Sequence, residues 1–337
     1  MVALDKLYVM KKRIIQALQY IFFLGLGLFL IYWKAAHLSP AQKQQLYDAF
    51  GTVNLGMLTP VIIAGFLSHW FRAMRWRLLL QPLDIHTGKL NTMAAVMIGY
   101  LANLLVPRMG EVAKCTVLAK HEKVPADKMV GTIVSERIFD LVCLLIISFI
   151  AFALQYTIVA DYISQLSVQY KGNGYRWIFF VVFALLLIGF VYWLKKKKKG
   201  SKVYNLLKGV GAGIASIWRM QNRGLFLFYT LLIWGMYTLM IIIGFKSMPV
   251  TASFGIFEAL VVLVFGSVGM IVTQGGIGAY PVIVGQILML YGIAEPSGLA
   301  FGWVSWMAQT GIIIIFGVLA LILLPLFNKH YGKNRLD

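Results

Sequence analysis

Charge is scarce in this chain, and negative charge scarcer still: Asp, Glu, Lys and Arg make up 13% of the 337 residues, and only 12 of them are acidic. Soluble domains carry about 25% charged residues, so an ordinary water-facing surface is excluded. Cys115 and Cys143 are the only cysteines, each beside or inside an apolar run, which argues against a disulfide framework and against a thiolate metal site. His37, His69, His86, His121 and His330 are scattered, with no pair at metal spacing, so neither a metal nor a cofactor is expected. A phosphate-cradling GxxxxGK loop, a nucleophile elbow and an acidic metal pair are also missing, and an enzyme is not the expectation. No polar stretch reaches the roughly 50 residues that a separate soluble domain needs. Residues 1–337 therefore read as one integral membrane domain.

What the chain does have is hydrocarbon. Sixty per cent of its residues are hydrophobic, and apolar runs of about 20 residues, the length that crosses roughly 30 Å of lipid as a helix, recur along it. The fold class is an all-α polytopic membrane protein with six to eight spans. The first run, Ile14 to Trp33, follows Lys6, Lys11, Lys12 and Arg13 and is too long for a signal peptide, so it reads as a retained span.

The formal net charge of +19 does not indicate nucleic acid, because the basic residues alternate between connections. Residues 1–13, 72–89, 114–128, 195–223 and 329–335 hold 24 of the 31 Lys and Arg, whereas 34–52, 157–176 and 246–252 hold five. By the positive-inside rule the first set is cytoplasmic, both termini included. The Lys195 to Lys199 run reads as a topology anchor that also suits anionic lipid headgroups. Residues 201–219 carry apolar positions at helical spacing between Lys and Arg, the pattern of an interfacial amphipathic helix. Arg72, Arg75 and Arg77 read as the cytoplasmic end of the second span.

Three places break the lipid-compatible pattern. Around Asn103, Pro107, Arg108, Gly110 and Glu111, both flanks are basic and neither apolar arm is long enough to cross, which predicts a re-entrant hairpin from the cytoplasmic side with its turn near Pro107. Gln274, Gly275, Gly276, Gly278 and Pro281 interrupt the apolar region 254–290, whose flanks are external, so this broken segment enters from the opposite side, as half-helices or as two full spans. Paired breaks of this kind frame midplane substrate sites in many transporters; close helix packing is the plainer use of such glycines. The third place is Glu136-Arg137 with Asp140 on one helix face. Buried charge needs a partner, so Arg108 is expected to meet Glu136 or Asp140, and Glu111 to meet Arg137. Such a cluster is either an ion-pair staple or a binding site for a headgroup or coupling ion. Glu258 and Gln274 are further candidates for contact with substrate.

Taken in order, Asn103, Pro107-Arg108, Gly110-Glu111, Glu136-Arg137, Asp140 and Gly275-Gly276-Ile277-Gly278 resemble the flippase-like transmembrane domain of lysylphosphatidylglycerol synthases and its stand-alone relatives. The resemblance covers residues 14–325. It implies a protein of a bacterial inner membrane that moves a phospholipid or lipid-linked headgroup between leaflets, with an anionic or amino-bearing membrane lipid as its partner. The expected substrate-binding set, from these motifs together with Glu258 and Gln274 from the reading of the broken segment, is Asn103, Pro107, Arg108, Glu111, Glu136, Arg137, Asp140, Glu258, Gln274, Gly275, Gly276 and Gly278. Where the family commonly has proline before the glycine pair, this chain has Gln274. The aminoacyl-transferase domain of the synthases does not follow residue 325, so lysine transfer is not expected of this sequence. Alternatives are a membrane enzyme or accessory subunit acting on a lipid-linked substrate, and an ion-coupled carrier of a small solute.

Overall fold

The computed structural model describes residues 21–106, 109–156, 158 and 220–333. Among these every regular element is helical. Helix α1 (Ile21–His37) bends by 116° into α2 (Pro40–Gly51). Ser39 starts α2 with a reciprocal capping box to Gln42, and Pro40 occupies the first turn, where a missing N–H costs nothing. Next come α3 (Leu58–Leu80), α4 (Lys89–Leu105), α5 (Met109–Glu122) and α6 (Ala126–Leu154). After the undescribed stretch the chain continues with α7 (Arg223–Lys246), α8 (Ile256–Val272), α9 (Ala279–Met289) and α10 (Glu295–Lys333). Four stretches, containing α3, α6, α7 and α10, are long and apolar enough to cross a membrane, or five if the bent α1–α2 pair is one span. The expected interfacial helix at 201–219 and the Lys195 to Lys199 run lie outside the described residues.

The molecule has two distinct ends, and the contacts sort the loops between them. At one end Arg77 donates to the Thr87 carbonyl at 2.8 Å, the Gly88 N–H to Glu122 at 2.7 Å, and Asn222 to Gln81 at 3.1 Å, while Asn91 and Asn328 exchange side-chain amide bonds. At the other end the Asn54 N–H donates to the Ser247 carbonyl at 2.8 Å, Lys34 pairs with Glu295, and the Phe254 and Tyr291 rings lie 5.6 Å apart. The first end gathers the described loops that are rich in Lys and Arg; the second gathers the poorer ones.

Between these ends the chain makes the same unit twice, upside down. Helix α3 runs toward the basic end, the α4–α5 pair starts and finishes there, and α6 returns. Helix α7 runs the other way, the α8–α9 pair starts and finishes at the opposite end, and α10 returns. At about 1.5 Å per residue, the 17, 14, 17 and 11 residues of α4, α5, α8 and α9 make none of them long enough for a full crossing of about 30 Å. The broken segment expected at 254–290 is thus two short apolar helices, of 17 and 11 residues.

Glycine lets the arms of each hairpin touch backbone to backbone. A Cβ on Gly99 would sit 2.9 Å from the Gly110 carbonyl oxygen, and one on Gly269 would sit 2.8 Å from the Tyr280 Cα. Helix α10 carries both hairpins. A Cβ on its Gly302 would lie 2.7 Å from Pro281, and one on its Gly317 would lie 2.8 Å from the Leu101 side chain of α4. The two hairpin tips meet between the ends: the Gln274 side-chain amide donates to the Asn103 carbonyl, and Leu104 packs on Gly275.

Candidate functional site

Helix α3 puts His69, Arg72, Arg75 and Trp76 on one buried face at helical spacing. Helix α6 answers with Met129, Thr132, Glu136 and Asp140, and α5 adds Glu111 and Lys114 three residues apart. Glu136 and Asp140, four apart on one helix, would repel each other in isolation. Here three cations surround them. Arg72 Nη1 reaches Asp140 Oδ2 at 2.6 Å and Glu136 Oε1 at 3.1 Å, and its Nη2 donates to the Tyr237 hydroxyl at 3.2 Å. Arg75, wholly buried, donates to Asp140 Oδ1 at 2.7 Å and lies over the Phe226 ring. Lys114 Nζ donates to Glu136 Oε2 at 2.7 Å.

Lys114 has a second support. Its ammonium sits 4.3 Å from the centre of the Trp76 ring, and Trp76 is itself pinned by an indole N–H bond of 2.9 Å to Thr132 Oγ1. Cation–π attraction and the Glu136 ion pair therefore hold the same charge from two sides. Nearer the surface, Arg137 donates to Glu111 Oε1 at 3.0 Å, the pairing expected from the sequence. Glu111 Oε2 is buried without a hydrogen-bond partner.

These groups border a narrow cleft, with Arg72, Tyr100, Asn103, Glu111, Lys114 and Arg137 among its walls. Four cations, Arg72, Arg75, Lys114 and Arg137, face three acids, Glu111, Glu136 and Asp140, leaving one positive charge in excess. Around the mouth the surface is apolar: Leu105, Val106, Met109 and Val112 on the hairpin are exposed, as are Val130, Val134, Leu141 and Leu145 along α6. A charged recess bordered by greasy surface is suited to an amphipathic ligand.

The sequence reading placed the acids, Arg137 and Glu111 in one cluster, and the structure brings them together. Arg108 and Pro107 lie outside the described residues, so the expected partnership of Arg108 with Glu136 or Asp140 does too. In the described structure Glu136 and Asp140 are met by Arg72, Arg75 and Lys114. Arg72 and Arg75, read from the sequence only as the cytoplasmic end of the second span, turn their side chains into the core. The available signal was their i, i+3 spacing with His69, which puts three ionisable groups on one face of an apolar helix.

The remaining candidates fall elsewhere. Asn103 closes the α4–α5 hairpin by accepting the Gly110 N–H at 2.7 Å, and lines the cleft. Gln274, Gly275, Gly276 and Gly278 form the tip of the other hairpin, where all three glycines have positive φ, and the Trp306 indole donates to the Gly275 carbonyl at 2.8 Å. Glu258 is at the far base of that hairpin, where its carboxylate accepts the Gly255 N–H at 2.8 Å and caps α8. It is not part of the charged cluster.

The comparison with known families falls on this framework. The model described as lysylphosphatidylglycerol synthase TM region matches residues 16–317. The chain belongs to that family. The match includes both hairpins and every charged group of the cluster, and it ties this membrane protein to membrane-lipid function. No curated protein and no solved structure matches the chain.

Proposed function

We propose that the protein translocates a phospholipid or lipid-linked headgroup between leaflets, acting as a carrier and not as an enzyme. The observation that carries this reading is the cleft itself. It combines a positive charge excess, formed by Arg72, Lys114 and Arg137 on its walls, with an apolar mouth. Guanidinium groups match phosphate oxygens in geometry and charge, so the headgroup phosphate sits against Arg72 and Arg137. When the site is empty, Glu136 and Glu111 neutralise the same cations. That competition keeps binding weak enough for release. The acyl chains remain outside, along the exposed apolar face of α6 and the hairpin tip.

In this reading α4–α5 is a re-entrant hairpin from the cytoplasmic side and α8–α9 enters from the external side. The positive-inside pattern supports that orientation, with both termini cytoplasmic in a bacterial inner membrane and six to eight spans in all. Non-helical backbone at hairpin tips is tolerated at membrane depth when protein surrounds it, and here each tip covers the other. The substrate-binding group comprises Arg72, Asn103, Glu111, Lys114, Glu136 and Arg137, with Arg75 and Asp140 behind them. Arg108 joins the same set from the sequence.

The deciding experiment is a leaflet-resolved assay in proteoliposomes with fluorescent lipids carrying anionic, zwitterionic and polyprenyl-linked headgroups. Protein-dependent loss of leaflet protection for at least one lipid is expected. No movement above protein-free vesicles for any of them overturns the reading.

A further inference from the structure

In an α-helix the carbonyl of residue 103 accepts from the N–H of residue 107. Residue 107 is proline, which has no N–H, so the sequence leaves the Asn103 carbonyl without a donor from its own helix. Among the described residues of the tip, the Val106 N–H bonds to the Ala102 carbonyl and the Gly110 N–H to the Asn103 side chain. Gln274 supplies the missing donor from the other hairpin. This bond and the seat of Leu104 on Gly275 join the two tips. By contrast, the arms of each hairpin and their seats on α10 are glycine-mediated backbone contacts. The tip contact is therefore the thin place in the structure, and Asn103 also lines the headgroup cleft.

We propose that the Asn103 carbonyl and the Gln274 amide form a gate that a headgroup opens only if it brings its own hydrogen-bond donor. Parting the tips leaves this carbonyl without its donor, so they stay together until another donor replaces Gln274. A hydroxyl or a primary ammonium on the headgroup does this while its phosphate rests on Arg72 and Arg137. A trimethylammonium headgroup has the same phosphate and a positive charge but no N–H or O–H, and leaves the gate shut. Asn103 thereby selects among phospholipids by donor capacity, independently of net charge. This proposal rests on the translocator reading and specifies its substrates.

The test uses the full chain in proteoliposomes with three fluorescent phospholipids of identical acyl chains and glycerol, ethanolamine or choline headgroups. The glycerol and ethanolamine lipids are expected to cross about tenfold faster than the choline lipid, the ratio of a single hydrogen bond. In Gln274→Ala, and in Gln274→Glu, which keeps the size but replaces the donor with an acceptor, the choline lipid should approach the others to within about twofold. Unchanged elution and thermal transition would show that both variants fold. Equal rates for the three lipids in the native chain would overturn the gate and leave the translocator standing, as would a ratio that survives both substitutions. If no lipid moves in the native chain, both readings fall together.

Discussion

Arg75, with no exposed side-chain surface, donates to Asp140 Oδ1 at 2.7 Å across the α3–α6 interface. Neither charge is at a helix end and neither lines the cleft, so this pair holds the two helices together beneath the groups that line it.

Removing Asp140 takes the closest counter-charge from the wholly buried Arg75, whereas removing Arg75 leaves Asp140 paired with Arg72 at 2.6 Å. Asp140→Ala is therefore expected to lower stability by about 3–5 kcal/mol, and Arg75→Ala by less. Replacing both with leucine should recover most of that loss, because the desolvation penalty disappears with the charges. Thermal unfolding in detergent, followed by intrinsic fluorescence, reads both changes. A single variant as stable as the native protein would contradict the assignment of this pair to structure.

The Arg137 and Glu111 pair is different because it is half-exposed, with side-chain exposures of 51% and 31%. Solvent-screened pairs contribute about 1 kcal/mol or less, so Arg137→Ala should unfold near the native temperature. Its lipid movement should nevertheless fall severalfold. Exchanging the charges, Arg137→Glu with Glu111→Arg, restores the attraction but moves the guanidinium, and transport should stay low. Full recovery in the exchange variant would favour a staple over a binding site.

Close backbone approach makes Gly110 intolerant of a side chain, whereas nothing lies within 4 Å of a Cβ at Gly25. Gly110→Ala should open the α4–α5 hairpin, costing about 1–3 kcal/mol, and Gly25→Ala should cost nothing measurable. Circular dichroism melts of the two variants side by side check the contrast. Equal melts would mean that the two arms do not touch.

Sidedness follows from the contacts that sort the loops. Single cysteines at His86 and Lys120, both exposed at the basic end, should react with an impermeant maleimide only from the cytoplasmic face of membrane vesicles. A cysteine at Val250, which is 47% exposed at the opposite end, should react only from outside. Labelling of position 120 from outside would refute the re-entrant hairpin.

Much of the site was legible in the sequence because lipid makes charge conspicuous. Glu111, Glu136, Arg137 and Asp140 stand out among apolar neighbours, and the pairing of Glu111 with Arg137 follows from the need of each for a partner. Arg72 and Arg75 were hidden by their position near a basic loop, where the positive-inside rule already accounts for arginines. Lys114 was hidden for the same reason. Glu258 stood out equally well, yet a lone carboxylate in the first turn of a helix is also what a capping box provides, and spacing cannot distinguish the two uses.

The sequence alone determined an all-helical membrane protein, the two breaks near Pro107 and Gly275, and which loops share an end. Run length, proline chemistry and charge asymmetry are properties of the chain and need no partner. Only the tertiary structure decided that the hairpin tips meet through Asn103 and Gln274, and that Arg72, Arg75 and Lys114 satisfy Glu136 and Asp140. Those pairings join residues far apart along the chain, where no periodicity records the contact. They are selected by the requirement that every buried charge and carbonyl find a partner in three dimensions.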